Sequence, residues 1–200
     1  MDEKFTRLKA LLAEIDDLNK AEAVLDWDQQ TYMPSGGAED RGNLLGTLSR
    51  LEHERWTSEE MGRLLDDLAA AQFDPDSDEA ALLQVTRREV QKRTRVPARW
   101  VEEFSVATTL AQEAWVEARK ASKFATFQPY LERNIELRRE YASFFAPYTH
   151  VYDPVLDDFE PGMKTAEVQA IFDQLRTEQV ELVKAIAARP QVEFGFLHLP

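Results

Sequence analysis

Two hundred residues with 24 basic and 37 acidic side chains leave a net charge of −13, a field that repels nucleic acid and anionic membranes. An apolar share of 44%, only 7 glycines and no cysteine describe a chain that buries a core without disulfides or thiolate metal sites. No stretch approaches about 20 uninterrupted apolar residues and no basic-then-apolar leader is visible, so a soluble, cytoplasmic, acidic protein is expected.

Phe5, Leu8, Leu11, Leu12, Ile15 and Leu18 recur every three or four residues, the mark of an amphipathic helix. Pro34 and the Gly36-Gly37 pair end that helix and set a turn. A second helix is predicted over Ala38 to Trp56, with Leu44, Leu45, Leu48 and Leu51 inward. Thr57 and Glu60 read as a capping box opening a third, which runs to about Ala71. Asp74-Pro75-Asp76-Ser77-Asp78-Glu79 is a polar loop and N-cap for a fourth, over roughly 78–95. Pro97 suits the first turn of a fifth helix running to Lys123, because its missing N–H has no partner there in any case. Trp100, Val101, Phe104, Ala107, Leu110, Ala111, Ala114, Trp115 and Ala118 cover so much of that helix that it is expected to be mostly buried.

A sixth helix is predicted from near Pro129 to Ala146, stopped by Pro147. Residues 147–164 form the long irregular stretch, and Thr165 caps a seventh helix. Its Val168, Ile171, Phe172, Leu175, Leu182, Val183 and Ile186 make one stripe. After Arg189-Pro190 the chain becomes an apolar, uncapped tail. The expected fold is all-α with about seven helices, as a single domain over 1–190 and an extended tail over 191–200.

The chemistry-bearing residues are few. His53, His150 and His198 are the only histidines. A zinc-hydrolase helix needs His-Glu-x-x-His, two imidazoles one turn apart with a glutamate as general base. His53-Glu54 is followed by Arg55, Trp56 and Thr57, so the second ligand is missing and His53 is expected on a helix surface. No Glu-x-x-His occurs, which removes the usual four-helix di-iron site. Asp74, Asp76 and Asp78 mimic a calcium loop, but Glu79 and Val85 stand where it needs glycine and glutamate, leaving a helix cap as the better reading. The strip Arg87, Arg88, Lys92, Arg93, Arg95 and Arg99 could grip a carboxylate, yet on so acidic a chain it is expected to offset local acids. Glu132, Glu136 and Glu140 share a helix face with Arg133, Arg138 and Arg139 nearby, which favours surface ion pairing over acid–base catalysis. No Gly-x-Ser-x-Gly elbow and no phosphate-binding glycine loop is present. The residues by themselves assemble no catalytic constellation.

Residues 25–41 are the most specific stretch: Leu-Asp-Trp-Asp-Gln-Gln-Thr-Tyr-Met-Pro-Ser-Gly-Gly-Ala-Glu-Asp-Arg. Trp27, Asp28, Gln29, Thr31, Met33, Pro34, Gly37, Ala38 and Arg41 there resemble the opening motif of the carboxypeptidase Taq family of zinc metallocarboxypeptidases. Gln30 departs from it, since the family usually has glutamate. A looser second match takes in Arg95-Val96-Pro97, Trp115, Ala118-Arg119, Phe124, Phe127 and Pro129. A third and specific one is Tyr152-Asp153-Pro154-Val155-Leu156-Asp157-Asp158-Phe159-Glu160-Pro161-Gly162-Met163.

The resemblance implies a mostly helical fold whose long helices wall a deep groove, this chain forming the N-terminal lobe. In a full-length member it implies a zinc or cobalt ion held by His-Glu-x-x-His and a later glutamate, trimming of peptide C-termini, and frequently a homodimer. Those catalytic motifs lie downstream of the matched region, so no catalytic or metal-ligating residue carries over to a position here. Trp27, Asp28, Gln29, Thr31, Met33, Pro34, Arg41, Tyr152, Asp153, Glu160, Pro161 and Gly162 are expected to be structural, with the aromatic rings pinning loops to the helices. One reading makes the chain the helical N-terminal portion of a metallocarboxypeptidase, inactive alone, whose partner is a missing C-terminal catalytic half; the apolar run from Phe194 to Pro200 suits it. The other makes it a free-standing truncated relative, an interaction or regulatory module that pairs with itself or a full-length paralogue.

Overall fold

In the computed structural model, which describes residues 2–71, 73–190 and 195 (the side chains of residues 2 and 35 excepted), all regular structure is helical. Seven helices of 11 residues or more and one of four residues are described, in keeping with the all-α expectation. They fall into two units, Met1–Phe145 and Ala146–Pro200. The expected tail over 191–200 lies, apart from Gly195, outside the described residues.

The first unit holds α1 (Asp2–Thr31), a 3-10 turn (Ser35–Gly37), α2 (Ala38–Trp56), α3 (Glu59–Ala69), α4 (Asp78–Arg93), α5 (Ala98–Lys120) and α6 (Phe124–Ser143). Its first core lies between α1 and α3. Phe5, Leu8, Leu11 and Ile15 interlock with Met61, Leu64, Leu65 and Leu68, and Leu82, Leu83 and Val90 of α4 pack against them. Burying these side chains is worth about 1.5–3 kcal/mol each before entropy is counted. The exposed ion pairs Lys4–Asp67 at 2.8 Å and Arg7–Glu60 at 2.6 Å add little.

A second core joins α5 to α6. Trp100 stacks on Phe104 with ring centres 4.8 Å apart and planes at 8°, and its other neighbours are Tyr141 at 5.2 Å and Phe144 at 6.3 Å. The buried indole N–H donates to the Leu137 carbonyl at 3.2 Å, so the polar edge of the ring is satisfied.

α2 and α5 cross on small residues. A Cβ at Gly46 would meet Val106 Cγ2 at 3.0 Å and the Glu102 carbonyl at 3.2 Å, and one at Gly42 would meet Thr109 at 3.6 Å. Ser49 continues the row, its hydroxyl 3.3 Å from that of Ser105. This close approach overturns the expected inward face of α2: Leu45 is buried, but Leu44 and Leu51 are exposed, because the glycines take the contact.

Several helix ends also differ. Ser58, not Thr57, caps α3 by accepting from the Met61 N–H at 3.2 Å, while the Thr57 hydroxyl donates to His53 O at 2.9 Å and closes α2. Ser77 caps α4 by accepting from Ala80 N at 3.2 Å. α6 begins at Phe124, so Pro129 lies inside it and not at its start. α5 is also less enclosed than its apolar coverage predicts: Trp100, Thr109, Ala111 and Ala118 are its buried residues, and Trp115 is exposed.

The second unit holds α7 (Asp153–Leu156) and α8 (Thr165–Ala187). Lys164 takes the N-cap position of α8 in place of the predicted Thr165. A lysine ammonium has no acceptor, so the reciprocal half is made by Glu167, which accepts from the Lys164 N–H at 2.7 Å.

Candidate functional site

The motif over 25–41 forms the elbow between α1 and α2. The end of α1 is held because Asp28 O accepts from both Tyr32 N and Met33 N at 2.9 Å. Thr31 donates its hydroxyl to Trp27 O at 2.7 Å. Pro34 is extended and leads into the 3-10 turn, whose Gly37 sits over Met33: a Cβ there would lie 3.2 Å from Met33 Cγ. Arg41, in the first turn of α2, reaches back to the Leu25 carbonyl and the Asp28 carboxylate. One guanidinium thus ties two helices across the break, in the forked geometry that arginine offers and lysine does not. The Gln29 amide reaches Thr109 O of α5 by a long 3.5 Å contact.

Packing inside the described chain accounts for Met33, Asp28 and Arg41, but not for the two rings. Trp27 and Tyr32 meet edge to face at 5.4 Å, yet are 57% and 74% exposed.

A second cluster lies where α1, α2 and α4 meet. Glu52 is buried and accepts from the Trp56 indole N–H at 3.0 Å. Arg93 of α4 brings its guanidinium to 3.3 Å from Glu52 and lies 4.9 Å from the Trp56 ring centre. His53 is only 4% exposed, which corrects its expected surface position. Burial first and the Arg93 charge second hold its pKa below the ordinary value, so the imidazole is neutral at pH 7. Glu22 of α1 completes the group with a buried Oε1 that lacks a hydrogen-bond partner. Burial raises its pKa, the nearby Ser49 hydroxyl opposes this, and the Glu52 and Asp26 charges add to the rise.

The folded protein therefore holds the Glu22 proton more tightly than the unfolded chain does. Stability on this account is full below the ordinary glutamate value and falls as pH rises through the raised one. Glu22→Gln is expected to raise the melting temperature at pH 7 and leave it nearly unchanged at pH 4 in differential scanning calorimetry. A lower melting temperature at pH 7 would mean that an ionised, paired carboxylate is what the fold needs.

The basic strip is used mainly by the protein itself. Arg87 donates to Leu65 O at 2.9 Å, Arg88 meets Glu89 at 3.2 Å, and Arg95 lies 5.8 Å from the Phe145 ring centre. Arg99 lines a cleft of about 510 Å³ along α5 with Val106, Leu110, Tyr130 and Arg133. Arg133 is paired with Glu136 at 3.0 Å, the surface pairing expected on α6. The Asp74 carboxylate accepts from Asp76 N at 3.1 Å, a turn contact within the predicted capping loop.

The third motif is organised by Asp153. Its Oδ1 accepts from Thr165 N at 2.9 Å and from the Thr165 hydroxyl at 2.7 Å, and its Oδ2 from His150 N at 3.1 Å. These donors, the Thr165 amide first, lower the Asp153 pKa from 3.8 to about 2. Gly162 adopts φ +86°, where a side chain is strained, and its N–H donates to Asp157 at 2.8 Å. Tyr152, Phe159, Glu160 and Pro161 point outward. A group whose pKa is lowered by folding stabilises above its ordinary value, and that contribution disappears as pH falls through the folded one. The amides of His150 and Thr165 are therefore expected to lose hydrogen-exchange protection between about pH 4 and about pH 2. In Asp153→Asn they should be weakly protected at every pH, with no such step.

Among the described residues no three His, Asp or Glu side chains converge to hold a metal ion. His198 lies outside the described residues.

Comparison with known proteins gives a consistent result. The family described as carboxypeptidase Taq (M32) metallopeptidase matches residues 7–197. Carboxypeptidase 1 of Bacillus subtilis is 31% identical over 187 residues, covering 92% of this chain and 37% of that protein. The crystal structure of BsuCP superposes with a TM-score of 0.87 at 31% identity, over 93% of this chain and 37% of that one. The M32 carboxypeptidase of Deinococcus radiodurans R1 gives a TM-score of 0.78 at 34% identity, over 98% of this chain and 39% of that one. The chain spans about two fifths of the length of the curated relatives it matches.

Proposed function

Since the chain belongs to the carboxypeptidase Taq (M32) metallopeptidase family, we propose that it supplies part of the helical groove wall of a metal-dependent carboxypeptidase. The observation that carries this reading is a family match along 7–197 that nevertheless reaches only 37–40% of each curated relative. The described residues do not fit a divalent cation, and the sequence has no His-Glu-x-x-His. No catalytic step is therefore assigned to this chain. Its part is to shape and orient: a fixed elbow at Arg41 and a tight α2–α5 crossing give a wall stiff enough to hold a peptide in one pose. The metal, zinc or cobalt, and the ionised water belong to polypeptide outside the matched stretch. The cysteine-free composition suits a reducing cytoplasm, which this reading assigns to the protein.

The test measures metal content and C-terminal trimming of the 200-residue chain with zinc or cobalt supplied. Neither stoichiometric metal nor shortened peptide is expected; both together would reject the reading. An alternative, a regulatory module that binds a full-length relative, draws on α8, none of whose residues is buried. It requires that adding the chain change the trimming rate of an intact relative, and an unchanged rate rejects it.

A further inference from the structure

α8 is 23 residues long and buries none of them. Val168, Phe172, Leu175, Leu182 and Ile186 follow a repeat of about 3.5 residues, with Gln179 in the remaining register position. Phe172 and Leu182 are 61% and 60% exposed. Ile171 and Val183 widen the stripe on its two sides, while Asp173, Thr177, Glu181 and Lys184 occupy the opposite face. A helix of this length draws most of its stability from packing such a face, not from propensity.

We propose, resting on the reading above, that this face of α8 is the seat of the polypeptide corresponding to the three fifths or so of the family fold that the chain does not span. The relatives supply the occupant's size, since 37–40% of each is matched. The width of the stripe selects the interior of a larger helical fold over a second copy, because a paired α8 would cover a narrow two-position seam and leave Ile171 and Val183 in water. The polar face selects against a lipid surface. It carries Asp173 and Glu181 against Lys184, where a membrane-lying helix presents a basic face.

The experiment joins this 200-residue chain, in place of the matched region, to the remainder of the Bacillus subtilis carboxypeptidase 1 polypeptide. Phe172→Asp with Leu182→Asp is compared with the polar-face pair Thr177→Asp with Glu181→Lys, in the chimera and in the isolated chain. The seat predicts one cooperative transition for the chimera. It also predicts a melting temperature lower by about 10 °C in the first pair, no change in the second, and no change from either in the isolated chain. The seat is overturned if the first pair leaves the chimera unaltered, or if the chimera does not fold as one unit. Loss of stability, of self-association or of liposome binding in the isolated chain through the first pair also overturns it, by revealing a different occupant. A chimera that trims peptides and ignores the first pair rejects the seat and keeps the proposed function. One that is destabilised by the first pair but never trims keeps the seat and rejects the function.

Discussion

Trp100→Ala is expected to remove about 3–5 kcal/mol of stability from the first unit, the range for emptying a buried tryptophan site. The indole is 6% exposed and is the shared neighbour of Phe104, Tyr141 and Phe144. Removing it deprives three rings of a packing surface, and two helices, α5 and α6, are too constrained to collapse into the gap. Trp100→Phe should cost less, about 1–2 kcal/mol, since most of the volume stays and the Leu137 carbonyl loses one donor. For a domain of this size the alanine variant should melt lower by about 10 °C. Urea unfolding followed by far-ultraviolet circular dichroism measures both, and a loss below about 1 kcal/mol for alanine would mean that α5 and α6 are not joined through this ring.

Gly46→Val is expected to be the next most damaging change, at about 2–3 kcal/mol. An added Cβ would lie 3.0 Å from Val106 Cγ2, which can rotate, and 3.2 Å from the Glu102 carbonyl, which cannot move without shifting α5. The two branches of valine add to that overlap. Gly62 supplies the contrast, because it is also helical but a Cβ there meets nothing within 4 Å. Gly62→Ala should therefore stabilise by about 0.5–1 kcal/mol, the ordinary helix-propensity gain. Opposite signs at two helical glycines, read in the same urea titration, test the α2–α5 crossing directly. Equal and favourable effects would refute it.

The limits of α2 were legible because Pro34 and the Gly36-Gly37 pair stand before it, and breakers act locally. Its inward face was not legible, since counting leucines ignores that glycine allows a closer approach and so decides which side meets α5. Caps slipped by one residue at Ser58 and Lys164, where hydroxyl-bearing Thr57 and Thr165 sit next door and bond elsewhere. Pro129 is no guide to the start of α6, which begins five residues earlier at Phe124. The Asp28–Arg41 tie lay inside a recognisable motif. The Glu22, Glu52 and Arg93 cluster did not, since charged residues read as surface until their partners are known. The one available signal was Gly42, Gly46 and Ser49 running into Glu52-His53 along a single helical face.

The aromatic pair at the end of α1 makes the molecule report on itself. Of the four tryptophans, Trp27 and Trp115 are exposed, Trp27 with Tyr32 as a nearby antenna, while Trp100 is shielded among other rings. Emission from the elbow should be red-shifted and readily quenched by acrylamide, and that from Trp100 blue and protected. With Trp115 replaced by phenylalanine, anything that settles over the elbow would shift the exposed population and leave the Trp100 emission as an internal standard.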